Sequence, residues 1–198
     1  MKKVIVFVLF LVVLGAVKAQ VLDSIELSQA YEYTSLEEAL VEPEEVIVLT
    51  LKRDKLSEIP SEIYQFTNLQ VLDLSKNKIT EIPEEIKQLK LLQELNLFNN
   101  KVQTLSPAIG ELENLRILDL SKNPLGELPK EISTLKNLER LILWSTEVTE
   151  FPYSISHLSE TLLFLDLRVV FMNQDRQNAI MDLLPNTTIM FSSSCNCN

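Results

Sequence analysis

Apolar and polar positions along this chain follow a pattern that returns every 23 residues. The fullest copy spans residues 69–79 and reads Leu-Gln-Val-Leu-Asp-Leu-Ser-Lys-Asn-Lys-Ile. Other copies begin at residues 46, 92, 115 and 138, and a sixth begins at residue 162, one residue late. Each copy has two apolar residues two positions apart, as in a strand with one buried face. The period therefore predicts an array of six repeats over residues 46–172, since a regular period decides the fold before local propensity does.

The second half of each repeat has a different spacing. Ile82, Ile86 and Leu89 are separated by four and three residues, which places them on one face of a helical turn. A single repeat cannot bury both this face and the face of its strand. Stacked repeats bury both, and stability then accumulates from the contacts between neighbours. We therefore expect strands on one side of an elongated domain and short helical segments on the other.

The common pattern of the repeats is Leu-x-x-Leu-x-Leu-x-x-Asn-x-Leu, and it resembles the leucine-rich repeat. An apolar residue followed by proline opens several second halves, at residues 82–83, 128–129 and 151–152, which is similar to the 23-residue class of Ras-group and exported bacterial proteins. The resemblance implies an α/β fold, a right-handed, curved solenoid with a parallel β-sheet on the concave face and short helical or irregular segments on the convex face. It also implies a non-enzymatic module that binds a protein or peptide across the concave sheet.

Asparagine occupies one position of three central repeats, at Asn77, Asn100 and Asn123. We expect these side chains inside the stack, where the chain leaves the strand and an amide can bond backbone groups that the bend leaves unpaired. The corresponding residues of the other repeats are Asp54, Thr146 and Val170. The pattern therefore predicts a structural asparagine ladder in the middle of the array that weakens toward both ends.

The residues before the array are expected to close its first end. Gln20 to Tyr33 has no clear period and is interpreted as a leader without regular structure. Ser35 and Glu38 then match a capping box at the start of a short helix, which should stop by Pro43. Residues 20–45 are therefore the predicted N-terminal leader and capping helix.

The residues after the array are expected to close its second end. Asn173 can cap a helix that runs to about Leu184, before Pro185. A short strand at residues 188–191 completes the predicted C-terminal cap, residues 173–191. The polar residues 192–198 form a predicted flexible tail.

The first residues of the chain have the features of a secretory signal peptide. Lys2 and Lys3 precede an apolar run at residues 4–17, and Val17 and Ala19 suit a signal peptidase, so residues 1–19 are the predicted signal peptide. The run is shorter than the about 20 residues of a membrane-spanning helix. We therefore expect an exported protein, in the periplasm, on the cell surface or outside the cell, with no stable membrane insertion after cleavage.

The chain is acidic, with 18 Lys and Arg against 28 Asp and Glu and a net charge of −10. Removal of residues 1–19 takes away three lysines and no acid, which lowers the net charge to −13. Such a charge disfavours nucleic acid, whose binding requires basic side chains that neutralise phosphate. It is compatible with simple solubility and with a basic partner, and both interpretations stay open. The length suits one elongated domain, which we expect to be a monomer.

Nothing in the sequence matches a catalytic or metal-binding motif. The single histidine, His157, falls in the outer half of its repeat, and three glycines do not make a glycine-rich phosphate loop. Cys195 and Cys197 can be free, joined by a strained bridge or paired with another chain, and without a nearby histidine they make a poor metal site. Asn186 begins a glycosylation sequon that matters only in a eukaryotic secretory pathway. We therefore expect no enzymatic activity, no cofactor and no metal.

The strands of the array place two columns of side chains on the concave face. The first column contains three aspartates on alternate strands, about 10 Å apart, which form a predicted acidic ridge and are too far apart to share one cation. The second column contains Phe98 and Trp144, also about 10 Å apart, and Arg168 one strand further. Aromatic residues without a core to fill are typical of contact sites. The predicted binding residues are Phe98, Trp144, Arg168, Asp73, Asp119, Asp166 and Asn96.

A binding module for a protein or peptide is therefore the leading functional hypothesis. The alternative is a structural or glycan-contacting component of the cell envelope. An enzyme that uses the carboxylates of the ridge is a weaker third hypothesis. Fold alone does not separate these functions, because one fold supports many of them.

Overall fold

The computed structural model describes residues 20–192, and its main feature is a parallel sheet with one strand per repeat. The strands in this part of the chain are β1 Glu32–Tyr33, β2 Val48–Thr50, β3 Val71–Asp73, β4 Glu81–Ile82, β5 Glu94–Asn96, β6 Thr104–Leu105, β7 Ile117–Asp119, β8 Arg140–Ile142, β9 Phe164–Leu167 and β10 Thr188–Phe191. Eight of them form one sheet in the order β1-β2-β3-β5-β7-β8-β9-β10, and each neighbouring pair is parallel. The predicted α/β solenoid with a parallel sheet is therefore confirmed.

The register of the sheet keeps equivalent positions of the repeats side by side. The central row of strand residues is Leu49, Leu72, Leu95, Leu118, Leu141 and Leu165. These leucines point into the core and are fully buried, whereas the next residue of each strand points to the concave face. That next column is Thr50, Asp73, Asn96, Asp119, Ile142 and Asp166.

The convex side of the array is built from short 3-10 helices. They span Pro43–Glu45, Ser61–Gln65, Glu84–Gln88, Pro107–Glu111, Lys130–Thr134 and Tyr153–Leu158. In the second repeat, the N–H of Ile86 donates to the carbonyl of Pro83 at 3.2 Å, and the N–H of Leu89 donates to that of Ile86 at 3.1 Å. This tight winding turns the apolar Ile86 and Leu89 into the core, where both are fully buried. Just before two of these helices, β4 and β6 pair in a second, two-stranded parallel sheet.

A tight turn follows each concave strand of the repeats. A residue with φ between 53° and 66° occupies this turn at Arg53, Lys76, Asn99, Lys122, Ser145 and Val169. Its backbone N–H reaches the next repeat: Lys76 donates to the carbonyl of Phe98 at 2.7 Å, and Lys122 donates to that of Trp144 at 2.8 Å. The backbone ladder therefore continues beyond the strands and keeps the turn residues beside the concave face.

Three asparagines lie behind these turns, and all are buried: Asn77, Asn100 and Asn123. The Nδ2 group of Asn100 donates to the carbonyls of Leu74 and Leu97, both at 3.0 Å, and its Oδ1 accepts from the N–H of Ile79 at 3.0 Å. The other two asparagines make equivalent bonds. Leu74 and Ile79 belong to the preceding repeat, so each amide ties two repeats together.

The cross-repeat bonds change after the fourth repeat. The hydroxyl of Thr146 donates to the carbonyl of Leu143, in its own repeat, at 2.8 Å. The backbone N–H of Thr146 also turns back to Leu143, and that of Val170 turns back to Leu167. The side chains at these two positions therefore form no bond to the neighbouring repeat among the described residues.

The N-terminal segment differs from the expected leader without regular structure. Helix α1 spans Ser24–Gln29, and Asp23 caps it with both bonds of a capping box to Glu26. Strand β1 then pairs with β2 and begins the sheet one strand before the first repeat. The physical reason is the Asp-x-x-Glu spacing at residues 23–26, which satisfies N–H groups that the first turn of a helix leaves free.

The next helix, α2, spans Leu36–Ala39, and Ser35 is its N-cap. The Ser35 hydroxyl accepts from the N–H of Glu38 at 3.4 Å. The Glu38 carboxylate does not complete the predicted capping box, since it accepts a hydrogen bond from the Tyr31 hydroxyl at 2.8 Å instead. It therefore joins α2 to the segment that precedes it.

The C-terminal segment closes the other end of the sheet. Asn173 caps helix α3, Gln174–Leu183, by accepting the N–H of Arg176 at 3.0 Å. Ile180 and Leu184 are buried in the core, and β10 extends the sheet beside β9. Within residues 20–192, no helix is long and apolar enough to cross a membrane. The predicted signal peptide, and the tail from residue 193 with both cysteines, lie outside the described residues.

Candidate functional site

The N-terminal strap, which we define as residues 20–30, is held at the first part of the sheet by two glutamines. The side-chain amide of Gln70 donates to the carbonyl of Gln20 at 2.9 Å and accepts from the N–H of Leu22 at 2.8 Å. The Gln93 amide donates to the carbonyl of Leu22 at 2.8 Å. Only 2% of Gln70 and 1% of Gln93 are exposed. These two buried amides therefore bind the backbone of the N-terminal strap by hydrogen bonds.

Helix α1 of the strap continues beside the outward residues of β2, β3 and β5. Leu27 is buried there and borders one cavity together with Thr50, Asp73 and Asn96. Two of the predicted binding residues, Asp73 and Asn96, therefore face the strap. The concave face remains uncovered by the strap along β7, β8, β9 and β10.

The polar residues of the first concave column bond the backbone of the turn that follows them. Asp119 accepts the N–H of Ser121 at 2.9 Å and also accepts its hydroxyl. The equivalent bonds from backbone N–H groups to Asp73, Asn96 and Asp166 measure 2.7, 3.0 and 3.1 Å. The predicted acidic ridge is therefore a set of half-buried or buried acceptors that hold the turns.

Two of these carboxyl groups have opposite pKa shifts. Burial raises the pKa of Asp119 above its ordinary value, and the negative charges of Asp166 and Asp73 add to this effect, although the bonds from Ser121 oppose it. Burial acts on Asp166 in the same direction, but the hydrogen bonds and the positive charge of Arg168 outweigh it, so the pKa of Asp166 lies below its ordinary value. Asp119 is therefore the carboxylate whose ionised form the fold tolerates less well.

Arg168 is engaged with its own strand. Its Nη2 lies 2.6 Å from Oδ2 of Asp166, and its Nε also donates to the same carboxylate. Such a two-pronged contact fixes the guanidinium and compensates the buried carboxylate. The positive charge of Arg168 is therefore neutralised within the protein.

Phe98 and Trp144 form a stacked pair. Their ring centroids are 6.3 Å apart and their planes differ by 8°. The expected separation of about 10 Å, two strand spacings, applies to the backbone, and the ring centroids lie closer together than that. The residue between them in the column is the small, buried Ser121, so both side chains can lean across its strand and meet. Offset parallel rings at this distance attract each other beyond simple burial.

Two lysines from the turns lie over this aromatic pair. Lys122 Nζ is 4.6 Å from the centroid of Trp144 and 5.6 Å from that of Phe98. Lys76 Nζ is 5.8 Å from the centroid of Phe98. The attraction of an ammonium group to a ring face holds both lysines in place. Within residues 20–192, the ion pairs of the structure include neither lysine.

A second cation–aromatic pair lies where β8 and β9 begin. The guanidinium carbon of Arg140 is 5.2 Å from the ring centroid of Phe164, its register partner on the next strand. Arg140 is exposed, and Ile142 follows it on the same outward side. We call the surface formed by Phe98, Lys122, Arg140, Ile142, Trp144 and Phe164 the open surface.

Sequence reasoning missed the cations of the open surface and the glutamines of the strap site. Lys76 and Lys122 lie in the turn after the strand, and their spacing of two repeats was the available signal. Gln70 and Gln93 precede their strands at equivalent positions, again one repeat apart. The period placed all four residues, but it did not indicate which neighbours their side chains would reach.

Potential metal ligands do not cluster in the part of the chain that the structure describes. Among residues 20–192, no group of three His, Cys, Asp or Glu side chains could hold a metal ion. His157 is exposed in the convex helix Tyr153–Leu158, away from the concave columns.

Comparison with sequence families supports the repeat pattern. A model described as leucine-rich repeats in two copies matches residues 67–111, and a model of a single leucine-rich repeat matches residues 114–135. No curated protein sequence matches the chain significantly.

Several solved structures are similar to this one. A leucine-rich repeat protein of Leptospira interrogans is 31% identical over 81% of this chain and 48% of its own, with a TM-score of 0.65. A plant peptide hormone receptor, solved in complex with RGF2, is 32% identical over 81% of this chain and 26% of its own, with a TM-score of 0.61. An internalin C2 of Listeria monocytogenes shares the fold, at 20% identity over 82% of this chain and 68% of its own, with a TM-score of 0.67.

The chain spans less than half the length of the Leptospira protein and of the plant receptor. Within that span, the similarity extends over the repeats and the parallel sheet that they build. The repeat period, the solenoid and the matching family models lead to one conclusion, that this chain belongs to the leucine-rich repeat family.

Proposed function

We propose that this protein is a non-enzymatic module that recognises a protein or peptide on its open surface. The observation that carries the proposal is the Phe98–Trp144 pair, which is half-buried on the concave face and not in the core between sheet and convex helices. Large aromatic residues of this kind dominate the affinity of many protein interfaces. The similarity to a plant peptide hormone receptor solved in complex with RGF2 supports a peptide or protein as the partner.

The strap limits where such a partner can bind. It occupies the concave face beside β2, β3 and β5, through Leu27 and the two buried glutamines. The partner would therefore contact β7 to β10, the turn residues between them and Phe98, which follows β5. In this arrangement the strap is one wall of the binding surface.

The alternative, a structural or glycan-contacting component of the cell envelope, is favoured by one feature of the same surface. Two nearly parallel rings present a flat apolar area that suits the face of a sugar as well as an apolar side chain. Binding assays with envelope polysaccharides and with envelope proteins separate the two functions.

We further propose that the protein is exported and acts as a monomer after residues 1–19 are removed. The basic start, the apolar run and the small residues before Gln20 support export. Mass spectrometry of protein from the culture fluid and from the periplasm tests this directly. A mature chain that begins before Gly15 would contradict the cleavage, and a dimeric mass in solution would contradict the monomer.

The net charge of −13 that remains after residues 1–19 are removed favours a basic partner at long range. The exposed charged side chains of the open surface, Lys122 and Arg140, are positive. At short range, the partner should be complementary to these local charges and not to the net charge.

The binding proposal is tested by replacing Trp144. Mature protein and its Trp144→Ala variant are immobilised and compared for the envelope proteins that each retains. The affinity for a retained partner should fall about tenfold or more in the variant, because an interface anchor contributes about 2 kcal/mol. Tyr153→Ala is the matched control, since Tyr153 is an aromatic residue that is 81% exposed on the convex side.

The two possible results have clear meanings. Equal affinity of Trp144→Ala and wild type would refute the open surface as the binding site. A loss in Tyr153→Ala with none in Trp144→Ala would move the site to the convex face.

A further inference from the structure

The charges that the open surface presents outward are positive, although the whole chain carries a net charge of −10. Lys122 and Arg140 are both exposed, and each is held over an aromatic ring. A ring face attracts a cation but leaves its charge in place, because the ring itself carries no net charge. The aromatic residues therefore position two positive groups and leave both available to a partner.

The acidic residues on or directly before β7, β8 and β9 are engaged with the protein, whereas the exposed Glu147 lies beyond the turn after β8 and borders a cavity with Lys122. Asp166 is buried and paired with Arg168. Asp119 is half-buried and accepts two bonds from Ser121. Glu139 pairs with Arg116, at 2.9 Å, where β7 and β8 begin. A ligand approaching from solvent therefore meets ammonium and guanidinium groups before it meets any unengaged carboxylate of these strands.

The two cations lie at opposite ends of the strands. Arg140 begins β8, and its register partner on β7 is Ile117. Lys122 follows Ile117 by five residues along the chain. At about 3.3 Å per residue up to Ser121, after which the chain turns at Lys122, the backbone positions of the two cations are separated by roughly 13 Å along the strand direction. Ile142 and Trp144 lie between them on the outward side.

We infer that the open surface selects an extended acidic segment, with two carboxylates four residues apart, so that both point to the same face, and apolar residues between them. One carboxylate pairs with Lys122 and the other with Arg140, while the intervening apolar side chains contact Ile142 and Trp144. A segment that runs along the strands spans the distance between the two cations because it has the same rise per residue as the strands. This inference rests on the proposed function and names the chemistry of its partner.

Trp144 is the only tryptophan of the chain, so its fluorescence reports binding at this surface alone. Three synthetic octapeptides are compared, identical except at two positions four residues apart, which carry Glu, Gln or Lys. Leucine and valine fill the positions between them. The Glu peptide should bind roughly five- to tenfold more tightly than the Gln peptide, and the Lys peptide should bind least. Added salt should reduce the Glu preference, since exposed charge pairs are screened.

The variants Lys122→Gln and Arg140→Gln identify the groups responsible. Each should reduce the preference for Glu over Gln while leaving the affinity for the Gln peptide almost unchanged. Lys130→Gln is the matched control, because Lys130 is exposed in a convex 3-10 helix. Moving the two Glu residues next to each other should also remove most of the preference.

The possible outcomes separate this inference from the proposed function. Equal binding of the Glu and Gln peptides, with both lost in Trp144→Ala by fluorescence anisotropy of labelled peptides, would overturn the acidic segment and keep the binding module. A Glu preference that survives the double variant of Lys122 and Arg140 would overturn the assignment of the cations. Binding of oligogalacturonate, an acidic sugar chain, without binding of any peptide would overturn both in favour of a glycan ligand.

Discussion

Replacing Asn100 by alanine tests whether the buried amides hold the array together. Asn100 lies in the middle of the ladder and makes three hydrogen bonds, two of which join the second and third repeats. Alanine keeps the backbone and removes all three. The change therefore isolates the amide from the apolar contacts between the same two repeats.

The cost follows from what each partner of Asn100 retains. The carbonyl of Leu74 still accepts a bond from Asn77, and the carbonyl of Leu97 still accepts one from Asn123. The N–H of Ile79 loses its acceptor, the Oδ1 of Asn100, and is left buried without a replacement. One orphaned N–H costs about 1–3 kcal/mol, and each weakened carbonyl adds about 0.5–1 kcal/mol. We expect a loss of about 2–5 kcal/mol in the free energy of unfolding.

Urea unfolding followed by far-UV circular dichroism measures this loss. With a denaturant slope of about 2 kcal/mol per molar, the midpoint should fall by about 1–2.5 M. Asn137→Ala is the matched control, because Asn137 is exposed and its amide makes one bond, to the carbonyl of Glu113 at 2.8 Å. Its midpoint should change by less than about 0.5 M, since a single exposed bond contributes about 1 kcal/mol or less.

Amide exchange locates the effect within the chain. The N–H of Ile79 should lose protection first in Asn100→Ala, before the N–H groups of the last repeats. If the midpoint of Asn100→Ala shifts no more than that of Asn137→Ala, the amides do not join the repeats energetically. The apolar contacts alone would then account for the stability of the array.

Three further substitutions test other parts of the structure. Thr146→Asn should extend the ladder by one repeat and raise the unfolding midpoint, by about 1 kcal/mol in free energy, whereas a lower midpoint would show that the altered turn rejects the amide. Asp119→Asn should be at least as stable as wild type at pH 7, since Asn96 makes the same backbone bond. The folded-state pKa of Asp119 is raised, so the wild type gains stability as pH falls through that pKa. If Asp119→Asn is still more stable than wild type at pH 3, burial of the charged carboxylate is not the cause of the difference in stability. Gln93→Ala should speed amide exchange in residues 20–30 by roughly tenfold, and Gln65→Ala, which changes an exposed glutamine of a convex helix, should not.

The strands and the repeat boundaries could be predicted because one period controls them. A shift of one residue would turn Leu72 and Leu95 out of the core, so the register has little freedom. Neighbouring repeats then place equivalent positions side by side, so residues at the same position of successive repeats form a column on the sheet. A contact can therefore be predicted wherever a residue meets the equivalent residue of the next repeat.

The strap could not be predicted in the same way, because it does not belong to the period. Its helix had a local signal, the Asp-x-x-Glu spacing of Asp23 and Glu26, although residues 20–33 show no hydrophobic period. Its position had no signal of this kind. Gln70 and Gln93 bond a segment that precedes them by 48 to 71 residues, and such a contact depends on the whole N-terminal cap.

On the open surface, the repeat period predicts the backbone positions of residues but not the distances between their side chains. Backbone spacing places Phe98 and Trp144 about 10 Å apart, yet the small Ser121 between them lets the rings approach to 6.3 Å. A large residue at that position would have kept the rings apart and left no shared face for Lys122. The identity of the residue between two candidate contacts therefore matters as much as the contacts themselves. For the same reason, Ser121→Phe should separate the rings and weaken binding of the acidic octapeptide, although it adds aromatic area to the surface.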